Sequence, residues 1–387
     1  MGQGNVGSMK HAVKVLHITK MKGISGSENH LLDLLTGLNK HEFSVHLGIL
    51  AETAHIPALQ TYTQRLEQSG VTVRFFPMRK YADASLLWRL RAYIAQERFD
   101  LIHTHLIHAD LYGTLAAKLA GSPAILSSRH NDDRFRNHPL FIRLNRLLAR
   151  CHARVIVISD WIGTFIEDVE GIPPEKIVRI QYGLDAATVI PYADPGYVRQ
   201  ELDLPEAAPV IGTIGRLTAQ KGHTYLLQAI KQVQPHVPDI RVVIIGDGEL
   251  RADLERQAQA LGIAQQIIFT GSRNREDSMR FLSGFDCFVF PSLWEGFGLV
   301  LLEAMAFSKA IVASNVSAIP ESVIDGKTGI LVPPRDPDQL AEALQTLLTN
   351  RAVAQAMGSA GHAYLLEQFS VQTMVERTEL VYRQLVG

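Results

Sequence analysis

Residues 286–307 read Asp286-Cys-Phe-Val-Phe290-Pro-Ser-Leu-Trp-Glu295-Gly296-Phe297-Gly298-Leu299-Val-Leu-Leu-Glu303-Ala-Met-Ala-Phe307. A short run of β-forming residues leads into a glycine-rich turn, and a helical run starts near Gly298. From Leu299 to Phe307, Glu303 is the single residue that is not apolar. A helix with no polar face is buried around most of its circumference. This strand, turn and helix therefore belong to a sheet that is covered by helices. Glu303 is left inside an apolar helix. It needs donors there, either protein groups or the hydroxyls of a ligand, because an unpartnered buried carboxylate is costly.

The same alternation extends in both directions. Strands are expected at 13–18, 43–49, 71–75, 100–103, 123–127 and 154–158, and a second series at 210–214, 241–245, 266–270, 286–290, 310–313 and 329–332. Helical patterns lie between them, such as 27–38, and three more follow at 337–348, 352–366 and 371–386. Strands alternating with helices imply parallel sheets covered on both faces, so the fold class is α/β with two Rossmann-like, doubly wound domains. The divide is placed at 185–205, where Pro191, Pro195, Gly196 and Pro205 interrupt a polar stretch. The domains are then residues 1–190 and 191–365, with 366–387 as a closing helical segment. Ligands of open α/β sheets bind beyond the carboxyl ends of the strands. Two such domains facing each other would hold a ligand in a central cleft.

Composition fits this reading. The chain has 387 residues, 47% hydrophobic and 20% charged, enough for two cores and too apolar for wholesale disorder. Cys151 and Cys287 cannot form a disulfide framework and suit a reducing, cytoplasmic compartment. No apolar run reaches the roughly 18 residues of a membrane span. The opening Met1-Gly-Gln-Gly-Asn-Val lacks the apolar stretch of a secretory signal, and Met9 is a candidate native start. The net charge of −1 divides into +5 over residues 1–190 and −6 over 191–387. An excess of that size spread over a whole domain does not suggest a nucleic-acid binder.

Several strand ends carry chemistry. After Val210–Ile214 come Gly215, Arg216, Lys221 and Gly222, a glycine-bracketed turn that can aim two cations at one anion, or else carry two solvated charges. Glu295 at the mouth of its turn can accept from sugar hydroxyls while the amides of Phe297, Gly298 and Leu299 face an anion. Gly246-Asp-Gly248 could open a dinucleotide fingerprint, but Arg251 stands where the third glycine belongs, which argues against a nicotinamide site. Its other use is a tight turn near a nucleotide, with Gly271-Ser-Arg273 as a base-side loop. In the first half, Gly26 and Ser27 open a helix and fit an anion site, with Ser27 as N-cap, or an ordinary capped helix. His103, His105 and His108 follow another strand, and their spacing does not forbid a metal. Arg129, His130 and Asn131 follow the next strand and are candidates to line the acceptor side of the cleft. Residues 134–154 hold six arginines and no acid, with Phe141, Leu144, Leu147 and Leu148 on an apolar side. That pattern suits either a helix resting on an anionic bilayer or a surface helix packed on the sheet.

Glu295-x7-Glu303, with Phe290-Pro-Ser before it and Glu-Ala-Met-Ala at its end, resembles the retaining nucleotide-sugar glycosyltransferases of family 4. Gly215-Arg-Leu-x3-Lys-Gly, Gly246-Asp-Gly, Phe269-Thr-Gly271, Pro320-Glu321 and Asp325-Gly-x-x-Gly329 match in the same order. The likeness is dense over 208–335 and looser over 12–190, where members carry two adjacent glycines and this chain has Gly26-Ser27-Glu28. It implies the GT-B architecture: an acceptor-binding first domain, a donor-binding second domain, and a last helix that crosses back to the first. It also implies transfer of a hexosyl-type group from a nucleotide diphosphate sugar to a glycan or lipid-linked acceptor, with neither metal nor cofactor required. Arg216 and Lys221 would neutralise the diphosphate, Glu303 would hold the ribose and Glu295 the donor sugar. His105 would face the reacting sugar, unless it is a structural histidine. A nucleotide-sugar 2-epimerase of the same fold is the alternative. A cytoplasmic enzyme in peripheral contact with the inner membrane surface would suit a lipid-linked acceptor.

Overall fold

The computed structural model describes residues 12–387 apart from 25, 80–82, 123 and 131–137. It divides into two compact units: Met1–Ile158 with Ile162–Gln181 and Val371–Gly387, and Ser159–Trp161 with Tyr182–Ser370.

In the first unit seven strands form one sheet. They are β1 (Val13–Lys20), β2 (Phe43–Ala51), β3 (Thr72–Pro77), β4 (Leu101–His105), β5 (Ala124–Arg129), β6 (Arg154–Val157) and β7 (Ile177–Arg179), in the order β3-β2-β1-β4-β5-β6-β7. Every pairing is parallel. Central strands are buried on both faces, and β2 is one: Phe43 and all seven residues from Val45 to Ala51 are buried, His46 among them. Helices α1 (Gly26–Gly37) and α2 (Gln60–Gln68) contribute Leu31, Leu35 and Leu66 to the core on one face. Helices α3 (Ala84–Glu97) and α4 (Leu106–Ala120) contribute Leu86, Leu90 and Ala116 to the core on the other. Helices α5 (Pro139–Cys151) and α6 (Asp160–Asp168) follow. Strand β7 has no counterpart among the expected strands. It is three residues long and only half-buried, so it lacks the apolar run that marks the others.

In the second unit a short helix, α7 (Tyr197–Glu201), precedes six parallel strands: β8 (Val210–Ile214), β9 (Arg241–Ile245), β10 (Ile267–Gly271), β11 (Cys287–Phe290), β12 (Ala310–Ser314) and β13 (Ile330–Val332). Their order is β10-β9-β8-β11-β12-β13. Between and after them run α8 (His223–Val233), α9 (Arg251–Ala260), α10 (Arg275–Ser283), α11 (Leu299–Ala306), α12 (Ile319–Ser322), α13 (Pro337–Thr349) and α14 (Arg351–Gln368). In both sheets the strand order reverses direction at one point, between β1 and β4 and between β8 and β11. At such a switch point the loops diverge and leave a crevice at the strand ends.

The unit boundaries differ from the expected ones for a local reason. Tyr182 packs edge-on against Phe297 with ring centroids 5.3 Å apart, and the Leu184 amide donates to the Phe369 carbonyl at 2.8 Å. The chain therefore joins the second unit at Tyr182 rather than at 191. Phe369 packs on Phe297 and Tyr364, so this unit runs on to Ser370. The last helix, α15 (Val371–Val386), spans the residues expected of it, and the segment that belongs to the first unit starts at Val371 rather than 366.

Candidate active site

The second unit's switch point gathers the charged residues singled out above. Loop 215–222 follows β8 and loop 291–298 follows the neighbouring β11, and the two are tied together. The Leu293 amide donates to the Gln220 carbonyl at 2.7 Å, and the Gln220 side-chain amide donates to the Trp294 carbonyl at 3.0 Å. Gly222 has φ +63°, and a Cβ there would lie 2.0 Å from the Pro291 carbonyl oxygen. Only glycine fits at that turn. Lys221 Nζ donates to Glu295 Oε1 at 2.5 Å and lies 5.0 Å from the Phe290 ring centroid. Arg216 is exposed on the same loop and makes no ion pair among the described residues. Glu295, Gly296 and Phe297 are buried, and Gly298, at φ +90°, occupies the N-cap of α11, whose first residue is Leu299.

Glu303 is buried in α11, as its apolar surroundings require, and it has a donor from the protein: Arg275 Nη1 lies 3.0 Å from Glu303 Oε1. Of the two sources of donors left open by the sequence, the polypeptide supplies one. Arg275 is a site residue that sequence reasoning missed. A signal was present, since it is the first residue of α10, where a cation opposes the helix dipole unless something else holds it. Arg273 lies nearby in sequence but reaches Glu201 at 3.6 Å and stacks over Phe281. Gly246 and Gly271 face each other, the Gly246 amide donating to the Gly271 carbonyl at 3.0 Å. A Cβ at Gly246 would lie 2.0 Å from the Gly215 carbonyl, so this glycine also lets the loop after β8 close down.

In the first unit, His105 ends β4 and is buried, with both ring nitrogens engaged: Nδ1 with His130 Nε2 at 3.1 Å and Nε2 with His17 Nδ1 at 3.0 Å. His130 and His105 line a small recess with Thr19, Ser27, Glu28 and Leu31. Helix α1 begins at Gly26, two residues earlier than an N-cap at Ser27 requires. Ser27 stands in the first turn and donates to the Glu28 carboxylate at 3.1 Å. His17, His103 and His105 each offer a nitrogen within 4.8 Å of the others. His17 thus takes the place expected of His108, which is half-buried on α4.

Arg129 does not line a cleft. Its side chain is fully buried, donates to Asp110 and to Ser127 Oγ, and lies 3.7 Å from Glu170. Burial works against its charge, but Asp110 and Glu170 outweigh it and raise the pKa. The same burial would push the Asp110 carboxyl up, yet Arg129, His152 and Thr104 hold it down at about 2. Asn131 lies outside the described residues. In α5 the faces differ from the expected ones: Leu148 turns inward with Asn145 and Ala149, whereas Leu140, Phe141 and Leu147 are exposed at 67%, 36% and 58%. Asn145 takes the inward place because its amide donates to the buried Glu170 at 2.6 Å. Among the described residues no helix is long and apolar enough to cross a membrane.

Residues 24–188 match the Glycosyltransferase Family 4 model and residues 197–364 match Glycosyl transferases group 1. Over 97% of both chains it is 27% identical to UDP-Gal:alpha-D-GlcNAc-diphosphoundecaprenol alpha-1,3-galactosyltransferase of Escherichia coli. It is 30% identical to alpha-maltose-1-phosphate synthase of Mycobacterium tuberculosis over 73% of this chain and 79% of the relative. In fold it resembles Anabaena HepE, solved in complex with UDP and glucose, with a TM-score of 0.82 and 23% identity over 96% of this chain and all of HepE. The Escherichia coli relative is by name a galactosyltransferase, and neither the family models nor these relatives support an epimerase. The chain is a glycosyltransferase of family 4, with the two Rossmann-like domains of the GT-B class.

Proposed function

We propose that the protein transfers a hexosyl group, with retention of anomeric configuration and without a metal, from a nucleotide diphosphate sugar to a glycan or lipid-linked acceptor. The observation that carries this is the pair of stitched loops after β8 and β11, which brings Arg216, Lys221 and Glu295 together at one switch point and sets Glu303 in the helix that follows. Departure of the nucleotide leaves negative charge on the diphosphate. Fixed cations in a partly dry site stabilise that charge without reorganisation, which is the usual largest contribution to such catalysis. Arg216 and Lys221 take this role here, Lys221 exchanging part of its hold on Glu295 for the phosphate. Glu295 then accepts from the sugar's hydroxyls, and Glu303, shared with Arg275, accepts from the ribose. Gly246, Gly271 and Arg273 are assigned to the nucleotide's base side. Gly26 and Ser27 are assigned to an anionic group of the donor, His105 to the transferred sugar and His130 to the acceptor side. In this reading the acceptor attacks the face from which the nucleotide leaves, and the departing phosphate takes its proton.

Lys221→Ala and Glu295→Ala should each lower turnover by at least ~100-fold while thermal unfolding stays cooperative. Near wild-type rates in either variant reject the assignment. Addition of a nucleoside diphosphate should raise the melting temperature, since a ligand that binds only the folded state stabilises it. Turnover should survive dialysis against a chelator.

The exposed Leu140, Phe141 and Leu147 of α5, beside the exposed Arg143 and Arg150, support a peripheral bilayer contact that would bring a lipid-linked acceptor within reach. The protein should co-sediment with anionic vesicles at low salt and lose binding when Leu140 and Leu147 become serine. Absence of binding to such vesicles ends this part of the proposal.

A further inference from the structure

Six side chains of the first unit form one continuous hydrogen-bonded file that ends at the recess beside α1. Ser128 Oγ meets His103 Nε2 at 2.7 Å, and His103 Nδ1 meets the Tyr382 hydroxyl at 2.7 Å. The same hydroxyl meets His17 Nε2 at 3.1 Å, and His17 Nδ1 meets His105 Nε2 at 3.0 Å. His105 Nδ1 completes the file with His130 Nε2 at 3.1 Å. Every nitrogen of the three inner rings is therefore used. Tyr382 comes from α15, the last helix, and the other five lie on or just after β1, β4 and β5.

Burial, reinforced by the neighbouring histidines, holds the pKa of His17, His103 and His105 well below the usual value. These rings are neutral, so each has one N–H and one bare nitrogen. Each link takes one proton, and a proton placed at one link fixes the next. Only two arrangements satisfy the whole file with the Tyr382 hydrogen placed inside it. With all protons directed from Ser128 toward His130, His105 carries its hydrogen on Nδ1. With all reversed, it carries it on Nε2. The hydroxyl of Tyr382 is the joint that passes this choice between His103 and His17.

We propose that Tyr382 and His17 are positioning residues that hold His105 in one tautomer and one ring orientation, so that the chain's last helix sets the proton at the end of β4. The inference rests on the proposed reading of His105 and His130 at the sugar and acceptor side; both nitrogens of His105 are held inside the file, so its tautomer reaches that side through His130, which borders the recess. The tautomer of a histidine is governed by the hydrogen bond its other nitrogen makes, and one preorganised hydrogen-bonding group at a reacting centre is worth about 10²–10³-fold in rate.

The test is Tyr382→Phe, which keeps the ring and removes the joint, in protein labelled with ¹⁵N-histidine. In the wild type, His17 and His105 should each show a single neutral tautomer by long-range ¹H–¹⁵N correlation. In Tyr382→Phe both should become mixtures, and kcat should fall at least about tenfold with little change in donor KM. Val381→Ala, a cavity on the same helix outside the file, separates positioning from loosened packing: it should leave both tautomers and kcat near wild type. A single His105 tautomer retained in Tyr382→Phe, or an equal loss of kcat in both variants, overturns the proposal. Unchanged turnover in His105→Ala shows that the reading of His105 itself is wrong, a failure distinct from intact tautomers in Tyr382→Phe.

Discussion

Arg129 shows what a buried charge does when it is not part of a site. Its guanidinium is completely enclosed, and Asp110 and Glu170 balance it, with Asn145, Thr104 and His152 supplying further contacts to the two acids. Removing one partner of such a set leaves uncompensated charge in a low-dielectric interior, which costs about 3–5 kcal/mol. Arg129→Met should therefore lower the unfolding free energy by about that amount in urea titration, and a loss below 1 kcal/mol would show that the acids find other partners. The sequence placed Arg129 at a strand end beside His130, a position that suits a ligand contact as well as a core. What decides between them is the location of Asp110, 19 residues earlier on helix α4, and that is tertiary information. Glu303 was legible for the opposite reason. One acid among eight apolar residues of a helix states its own need for a donor, although not that Arg275 meets it.

Elements with a dense apolar signal could be read from the sequence to within a few residues, as β2 and α11 show, because burial on all sides admits few polar residues, here His46 and Glu303. Elements at the margin could not. Strand β7 is short and half-buried, and the face of α5 was misjudged because a buried Asn and exposed Leu residues reverse the simple pattern. Helix α8 carries a further consequence. His223, its first residue, is buried with both ring nitrogens lacking a hydrogen-bond partner among the described residues. Burial, with a smaller contribution from Lys221, lowers its pKa to about 4. Above pH 6.5 this ring is neutral in both the folded and the unfolded chain and adds no pH dependence. Between 6.5 and 4 the unfolded chain takes up a proton that the folded chain refuses, so stability falls as pH falls. At pH 5 the loss from this residue should be about 2 kcal/mol. Chemical denaturation of wild type and His223→Leu at pH 7 and pH 5 measures it: the wild type should lose more by that amount, and equal losses would mean that His223 is protonated in the fold.

At the scale of the whole molecule, chain order and unit membership part company at the C-terminus. Residues 371–387 follow the second unit in sequence but complete the core of the first. Met374, Val375, Val381 and Tyr382 are buried there, and Gly37 allows the approach, since a Cβ on it would lie 2.7 Å from a methyl of Val375. Glu379 accepts from the Asn39 amide at 2.8 Å, and Arg383 forks onto Glu42 with two bonds of 2.7 Å. The surface ion pair adds little, but four buried side chains at about 1.5–3 kcal/mol each amount to roughly the whole stability of an ordinary domain, even when taken as an upper bound. A chain ending at Ser370 should thus keep its second unit and lose its first. Hydrogen exchange should show protection retained in β8, β9, β11 and β12 and lost through β1, β2 and α1. Uniform protection in both units would mean that the first sheet is held by its own helices and that α15 contributes only the Tyr382 joint. Uniform loss would mean that the two units unfold as one cooperative body, in which case a substitution in either core would be felt equally at the strand ends of both.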